Sequence, residues 1–296
     1  FISLISLLGI TLGMIALITV MSVMNGFQKE IRARILGVAS HVQIGSFVGG
    51  LEHWQQTAQE ASKHPSVEAA APYVAGQGML SHNQVVQGVM VRGILPTMED
   101  KVADFARTMK DGSLENLVPG EFGIIIGADL ARSLGTFVGD KIVLISPQGQ
   151  MTPAGILPRL KQFTVVGIFE IGHFEYDSAL VLTHLFDAQR LYRMDNDTVT
   201  GVRLKLKDLF EAPEVVKELP SMLTIDSYIT DWTKQHTNYF RAIQIEKRML
   251  SLILALIIAV AAFNIVSTLV MAVTDKQSDI AILRTLGASP HSIMKI

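Results

Sequence analysis

The stretch from Met249 to Ala288 reads MLSLILALIIAVAAFNIVSTLVMAVT and runs without a break into DKQSDIAILRTLGA. No charged residue interrupts Met249–Thr274, about 26 positions against the roughly 20 that cross a bilayer's hydrocarbon core. Asp275 and Lys276 end the apolar run abruptly, as where a helix leaves lipid for water. Beyond them Ile280, Leu283 and Leu286 recur every three residues, Asp279 and Arg284 lie off that stripe, and Gly287 supplies a C-terminal stop. A spanning helix followed at once by a short amphipathic helix is a means of passing force between membrane and cytosol.

The other end of the chain repeats the signal. Phe1–Met24 is apolar apart from Ser3, Ser6, Thr11, Thr19 and Ser22, whose hydroxyls bond back to a helix backbone. It is too long for a signal peptide's apolar core, and no small-x-small cleavage site follows it. Gly9 and Gly13 form a GxxxG pair that lets another helix approach closely. The run is already apolar at Phe1 and a helical pattern is under way at Ile296, so a longer polypeptide is expected. Apolar residues make up 49% of the chain and mean hydropathy is +0.36, concentrated at the two ends. A formal net charge of −2 argues against a nucleic-acid surface, and the absence of cysteine excludes disulfides and thiolate metal sites.

Between the apolar ends the expected order is segment 1–26 in the membrane, a stalk helix over 27–39, a soluble domain over 40–228, a second stalk over 229–248, a second span over 249–274 and an amphipathic region over 275–296. The first stalk rests on Phe27, Ile31 and Ile35, the second on Ile229, Trp232, His236, Tyr239 and Ile243. Within the domain, strands are expected at His41–Ile44, Met79–Ser81, Val85–Gly93, Gly123–Ile126, Lys141–Ser146, Phe163–Phe169, Ala179–Leu182 and Val199–Leu206. Helices are expected at Glu52–Lys63, Glu99–Met109, Ala128–Leu134, His184–Arg193 and Leu209–Glu218. The mixture predicts an α+β membrane protein whose domain has a β-rich part, built from Ala70–Arg92 and Lys141–Leu182, and a helical part.

One connection stands out. Pro147–Lys161 reads PQGQMTPAGILPRLK, with prolines and glycines that stiffen and bend it and an apolar middle at Met151, Ile156 and Leu157. It is longer than a hairpin needs, which fits a loop presented to a partner. Catalytic patterns are missing: no GxxxxGKS/T phosphate loop, no HExxH, no nucleophile elbow and no GxGxxG. Asp195–Asp197 imitates the start of a calcium loop but has Thr200 where glycine is required, so a polar turn is expected. Asn264 stands in mid-span, where such a side chain most often bonds a neighbouring helix. The charges around the second span, Lys247 and Arg248 before it and Lys276, Arg284 and Lys295 after it, leave orientation open.

Several of these stretches resemble one family. Asp275–Ser289 is similar to the signature that follows the second span in the MacB and FtsX superfamily of ABC transporter permeases. Ile10–Gly13, Leu17–Val23 and Met24–Phe27 with Glu30 resemble the first span of LolC and LolE, the permease subunits of the lipoprotein-releasing complex of Gram-negative bacteria, and Ala261–Thr268 resembles their second. Met151–Gly155 with Pro158, Lys161 and Phe163 resembles the hook loop that LolC carries and LolE lacks, although Ile156 and Leu157 stand where polar or basic residues are expected. Asn264–Val273 is closer to LolE, a mixed character like that of LolF-type subunits, which leaves open whether the second permease is a sister or another copy.

The resemblance implies an inner-membrane, non-catalytic subunit with a periplasmic domain of porter-like and β-rich parts. It implies a chaperone-binding hook of Met151, Thr152, Pro153, Gly155, Ile156, Leu157, Pro158, Arg159 and Lys161, which would recruit a LolA-type chaperone. It implies a LolD-type ATPase, which binds the ATP, engaged through Asp279, Ile280, Leu283, Arg284, Leu286 and Gly287, while this chain carries no cofactor or metal. Val20, Met24, Met249, Ile253 and Leu256 would line a cavity for lipoprotein acyl chains among membrane lipids, since flexible apolar side chains suit variable tails. Gly9, Gly13 and Asn264 would serve helix packing. MacB-like efflux and FtsX-like transmembrane signalling are the alternatives within the superfamily.

Overall fold

The computed structural model describes residues 11, 13–15, 18–24, 26, 40–47, 49–152, 155–235 and 237–294. The chain divides into two compact units, one of residues 1–29 with 238–296 and one of residues 30–237.

In the second unit the order is β1 (Val42–Gly45), α2 (Trp54–Ala61), β2 (Val67–His82), β3 (Val85–Ile94), α3 (Pro96–Val102), α4 (Phe105–Thr108), β4 (Met109–Gly112), β5 (Gly123–Gly127), α5 (Ala128–Leu134), β6 (Lys141–Thr152) and β7 (Gly155–Phe169). There follow α6 (Phe174–Ala179), β8 (Leu180–His184), α7 (Leu185–Tyr192), β9 (Gly201–Leu206), α8 (Ala212–Glu218), β10 (Tyr228–Asp231) and α9 (Trp232–Gln235). The label α1 is kept for Gly13–Met24 in the first unit.

Among the described residues ten strands share one sheet, ordered β10-β1-β9-β2-β3-β8-β5-β7-β4. β6 pairs with both β2 and β7, so β2, β3, β8, β5, β7 and β6 close into a ring. β3 with β8 and β5 with β7 are parallel, and the remaining pairs are antiparallel. β2 belongs to both halves of the sheet. Val67–Tyr73 pairs with β9, whereas Tyr73–His82 pairs with β3 and Met79–Ser81 also with β6.

Two glycines on β2 let other elements sit on it. A Cβ on Gly76 would fall 2.2 Å from the Tyr192 ring, whose hydroxyl donates to the Gln77 carbonyl at 3.1 Å. A Cβ on Gly78 would fall 2.9 Å from Leu144 of β6. On the neighbouring strand, Gly93 brings Ala188 of α7 against β3 in the same way. Five of the ring's six strands, all but β5, fall within or overlap the stretches expected to be β-rich, while α7 lies on the ring rather than in a separate helical part.

The ring meets the rest of the sheet at a buried ion pair. Arg203 on β9 and Glu99 on α3 are both fully buried and joined Nη1 to Oε1, and Arg203 Nε donates to Ser40 just before β1. Gln43 continues the network, donating to Ser40 at 3.1 Å and accepting from the Tyr73 hydroxyl at 3.2 Å. Nearby, Phe105 and Phe169 stack edge-to-face at 5.7 Å within a core that includes Ile125, Leu180 and Leu182. At the rim, the buried Asp177 carboxylate accepts the Ile171, Gly172 and His173 N–H groups at 2.8, 2.8 and 3.1 Å.

Three expectations are corrected here. The helix expected at Glu99–Met109 is two, because Ala103 is extended (φ −140°) and breaks the helical run. Most of β2 and all of β4 were missed, since a run such as AAAPYVAG lacks the alternation that marks a half-buried strand. The second stalk does not begin at Ile229, which pairs with Ile44 in β10. The Asp231 carboxylate accepts the Thr233 and Lys234 N–H groups at 2.8 and 3.2 Å, which ends the strand and starts a helix. Trp232 is buried and donates to the Leu209 carbonyl at 3.1 Å, so it belongs to the domain. The first stalk, 27–39, and His236 lie outside the described residues.

The first unit contains α10 (Thr237–Asp275), α11 (Gln277–Thr285) and α12 (Pro290–Ile293). Among the described residues one helix, through its segment Arg248–Asp275, is long and apolar enough to cross a membrane. The first apolar segment is described from Thr11 onward, and its described residues through Met24 are helical.

Removing one partner of a buried ion pair costs about 3–5 kcal/mol, whereas an apolar pair of similar volume is often neutral. Glu99→Leu alone should destabilise the domain by that amount, and Glu99→Leu with Arg203→Met should recover most of it. Urea unfolding followed by tryptophan fluorescence checks this, because Trp54 and Trp232 both lie buried in this unit. By the overpacking cost, Gly76→Ala should lose about 1–3 kcal/mol as Tyr192 is displaced. Gly88→Ala, with nothing within 4 Å of its Cβ, should leave the same unfolding curve within about 0.5 kcal/mol.

Candidate functional site

The stretch expected to be a long loop is a hairpin arm. β6 runs on to Thr152 and β7 begins at Gly155, with Gln150 opposite Leu157, Met151 opposite Ile156 and Thr152 opposite Gly155. Pro153 and Ala154 at its tip lie outside the described residues. The pairing skips between Ser146↔Arg159 and Gln150↔Leu157, so Pro147, Gln148 and Gly149 face Pro158 alone. Both prolines of the stem thus fall where the ladder demands no N–H, which is why a proline-rich stretch still forms strands. β6 pairs with β2 only through Val143–Ile145, and beyond Ser146 the described ladders of the arm join β6 and β7 to each other alone.

At the root of the arm lies an open cleft of about 550 Å³, lined by Phe122, Arg159, Leu160, Lys161, Arg190, Leu191 and Arg193. Arg159 and Lys161 come from β7, Arg190 and Arg193 from α7 and its C-terminal cap, so four cations face one space and no carboxylate lines it. Arg159 Nη1 donates to the Leu191 carbonyl at 3.3 Å, tying the arm to α7. The Lys161 ammonium lies 3.7 Å from the centre of the Phe122 ring. Leu160, between Arg159 and Lys161 on β7, is 65% exposed. The cleft suits an acidic, partly apolar surface on another molecule. Of its residues the sequence reading named Arg159 and Lys161 and missed Arg190 and Arg193. Their i, i+3 spacing at the end of an expected helix was visible, but only the sheet brings that end to the arm.

Asp195–Asp197 forms a polar turn. The Gln189 side-chain amide donates to the carbonyls of Asp195, Asn196 and Thr198 at 3.4, 3.1 and 2.9 Å, and the Asp197 carboxylate meets His53 Nδ1 at 2.7 Å. In the first unit, Met249, Ile253 and Leu256 share one face of α10 at i, i+4 and i+7 and are exposed, while Val20 and Met24 share a face of α1. Gly9 lies outside the described residues, and a Cβ built on Gly13 meets nothing within 4 Å, so no described segment of this chain packs on that glycine. Asn264 is half-buried, and its carbonyl accepts from Thr268 at 2.8 Å.

The amphipathic helix α11 is closed at both ends. Lys276 breaks it from α10 and pairs with Asp279 at 3.0 Å. At its C-terminus Gly287 takes φ +92°, its N–H donates to Arg284, and the Ala288 N–H reaches back to Leu283, a Schellman stop. Ile280 is half-buried and Leu283 and Leu286 are exposed.

Comparison with known proteins agrees with this anatomy. Residues 3–222 match the MacB-like periplasmic core domain and residues 251–296 the FtsX-like permease C-terminal region. The lipoprotein-releasing system transmembrane protein LolC of Neisseria meningitidis serogroup B is 50% identical over 297 residues, covering 100% of this chain and 71% of that protein. LolE of Haemophilus influenzae is 34% identical, covering 98% of this chain and 70% of its own. The solved periplasmic region of MacB from Actinobacillus actinomycetemcomitans covers 69% of this chain and 95% of its own at 11% identity, with a TM-score of 0.45. Half-identical to a LolC along its whole length, with a MacB-like periplasmic core joined to an FtsX-like permease region, this chain belongs to the LolC/LolE family of lipoprotein-releasing system transmembrane proteins.

Proposed function

We infer that this chain is a permease subunit of an ABC transporter that extracts outer-membrane-destined lipoproteins from the bacterial inner membrane and hands them to a soluble periplasmic chaperone. The observation that carries this reading is the arm over its four-cation cleft, on a chain half-identical to a LolC. A LolA-type chaperone bearing acidic and apolar surface would dock there, with Met151, Thr152, Pro153, Gly155, Ile156, Leu157 and Pro158 reaching toward it from the arm. Arg159 and Lys161 would hold its rim. The arm's interrupted, proline-containing stem gives reach without a disordered loop, so less conformational entropy is lost on docking.

In this reading the chain crosses the membrane twice, through the first apolar segment and through α10. A separate LolD-type ATPase binds and hydrolyses the ATP. It would seat α11 through Ile280, Leu283 and Leu286, with Asp279 and Arg284 at the contact's edge and Gly287 ending the helix. The continuous helix from Thr237 to Asp275, about 58 Å at 1.5 Å per residue, would carry that motion outward. The acyl chains would rest against Val20, Met24, Met249, Ile253 and Leu256, while Gly9, Gly13 and Asn264 would pack against helices of a second permease subunit, LolE-like or another copy of this one. No cofactor or metal enters this scheme, and the chain's own part is mechanical.

Liposomes holding the full-length protein, its ATPase and a triacylated lipoprotein test this directly. ATP should release lipoprotein into solution only when chaperone is present, and replacing Met151–Arg159 by a Gly-Ser segment should cut that release at least tenfold. Release that survives the replacement would remove the arm from the mechanism. ATP hydrolysis by the native complex with no release would favour MacB-like efflux or FtsX-like signalling instead.

A further inference from the structure

Beneath the cleft lies a buried acid that none of the site residues above includes. Asp187, in the first turn of α7, is fully buried, and its carboxylate accepts the Gly120 N–H at 2.9 Å and the Phe122 N–H at 3.2 Å. Burial pushes its carboxyl above the ordinary value, and these two hydrogen bonds pull the other way. The loop it holds has unusual backbone geometry, with Gly120 at φ +87° and Phe122 at φ +54°. Only glycine visits that region freely, and a bulky side chain there costs roughly 1–2 kcal/mol. A phenylalanine is kept there by Asp187 on one side of its peptide unit and, on the other, by the Thr164 N–H, which donates to the Phe122 carbonyl at 3.0 Å.

The consequence is the direction of the ring. Phe122 meets Phe163 of β7 edge-on, with centroids 5.5 Å apart and planes at 86°. Its face lies under the Lys161 ammonium at 3.7 Å. Lysine carries four rotatable methylenes, and fixing it in one place costs about 1.5–2 kcal/mol of rotamer freedom. A ring that holds the ammonium beforehand removes much of that cost from the docking step. The connection runs from α7, which supplies Arg190 and Arg193, through Asp187 and the 120–122 loop, to the strand that supplies Arg159 and Lys161. Asp187 thereby ties the two banks of the cleft together.

We propose that Phe122 and Asp187 are positioning residues of the docking cleft: Asp187 locks Phe122 in its left-handed conformation, and the Phe122 ring presents Lys161 at a set spacing from Arg159, Arg190 and Arg193 for carboxylates of the incoming chaperone. This rests on the docking reading given above. It differs from a purely structural role because Phe122 acts through one named cation. Loss of the ring face should matter only while Lys161 is present, and tyrosine, which keeps that face, should restore it.

The test uses the full-length protein with its ATPase in lipid nanodiscs and purified LolA-type chaperone, with affinity measured across a salt series. Lys161→Met and Phe122→Leu should each weaken binding about three- to tenfold, the size expected for one cation–π-ordered contact, and should flatten the salt dependence alike. Phe122→Leu in the Lys161→Met background should add less than about twofold. Phe122→Tyr should bind as the native protein does. Asp187→Asn, which keeps one acceptor oxygen and loses the other, should fall between native and Phe122→Leu. After reductive 13C-methylation, the Lys161 resonance should show an upfield ring-current shift in the native and Phe122→Tyr proteins and lose it in Phe122→Leu. If Lys161→Met weakens binding while Phe122→Leu does not, or if the two losses simply add, the positioning role is overturned and docking stands. If neither Lys161→Met nor replacement of the arm changes binding, the docking reading fails and takes this proposal with it.

Discussion

The rest of the domain depends on the double pairing of β2. This strand, sixteen residues long, lies beside β9 along its first half and beside β3 and β6 along its second. A strand has two hydrogen-bonding edges, and β2 uses both in different places, which joins an open antiparallel sheet to a closed ring. Closing the ring covers edges that β6 and the second half of β2 would otherwise present, and it fixes β6 and β7 at the base of the arm. Gly76 and Gly78 make the arrangement sterically feasible, one accepting the Tyr192 ring and the other Leu144. Because Tyr192 ends α7, a glycine on β2 also sets where Arg190 and Arg193 stand.

Around this frame several buried polar side chains bond backbone or each other. Glu99 meets Arg203, Asp177 gathers the three N–H groups before α6, Asp187 takes two from the 120–122 loop, and Gln189 holds three carbonyls of the 195–198 turn. Each would be costly to bury unpaired, and each in its place defines a connection that has no periodic hydrogen bonds of its own. Two of these connections, the 120–122 loop and the 195–198 turn, are held by α7, which also supplies Arg190 and its cap Arg193 to the proposed docking cleft. Rigid loops there fit a surface that offers fixed charges to a partner.

In the proposed reading the arm and the cleft divide the work that a docking surface has to do. The described ladders of the arm beyond Ser146 join β6 and β7 alone, whereas the cleft is built on helix and sheet, with Arg159 bonded to α7 and Lys161 over the Phe122 ring. Long-range attraction by four cations would guide an acidic partner, and the arm would then set the fit. The first unit pairs a long α10 with a short, well-stopped α11, drawn from one continuous stretch of sequence.

What the sequence determined by itself was whatever is local or periodic. The uncharged run Met249–Thr274, the Ile280–Leu283–Leu286 stripe and the Gly287 stop follow from spacing and composition, and the strands with clear alternation and the helix Ala128–Leu134 lie where pattern places them. Resemblance in the spans and the hook was enough to reach the LolC/LolE family. What only the tertiary structure decided was pairing. Pro147–Lys161 looked like a loop because its prolines were read one at a time, yet a hairpin absorbs them where its ladder is interrupted. Ile229 and Trp232 kept a helical spacing, but β1 offered an open edge and Asp231 a cap, and together these outweighed it. Asp187, Phe122, Arg190 and Arg193 gave no sign of belonging with Lys161, because residues this far apart in sequence are brought together only by closure of the sheet.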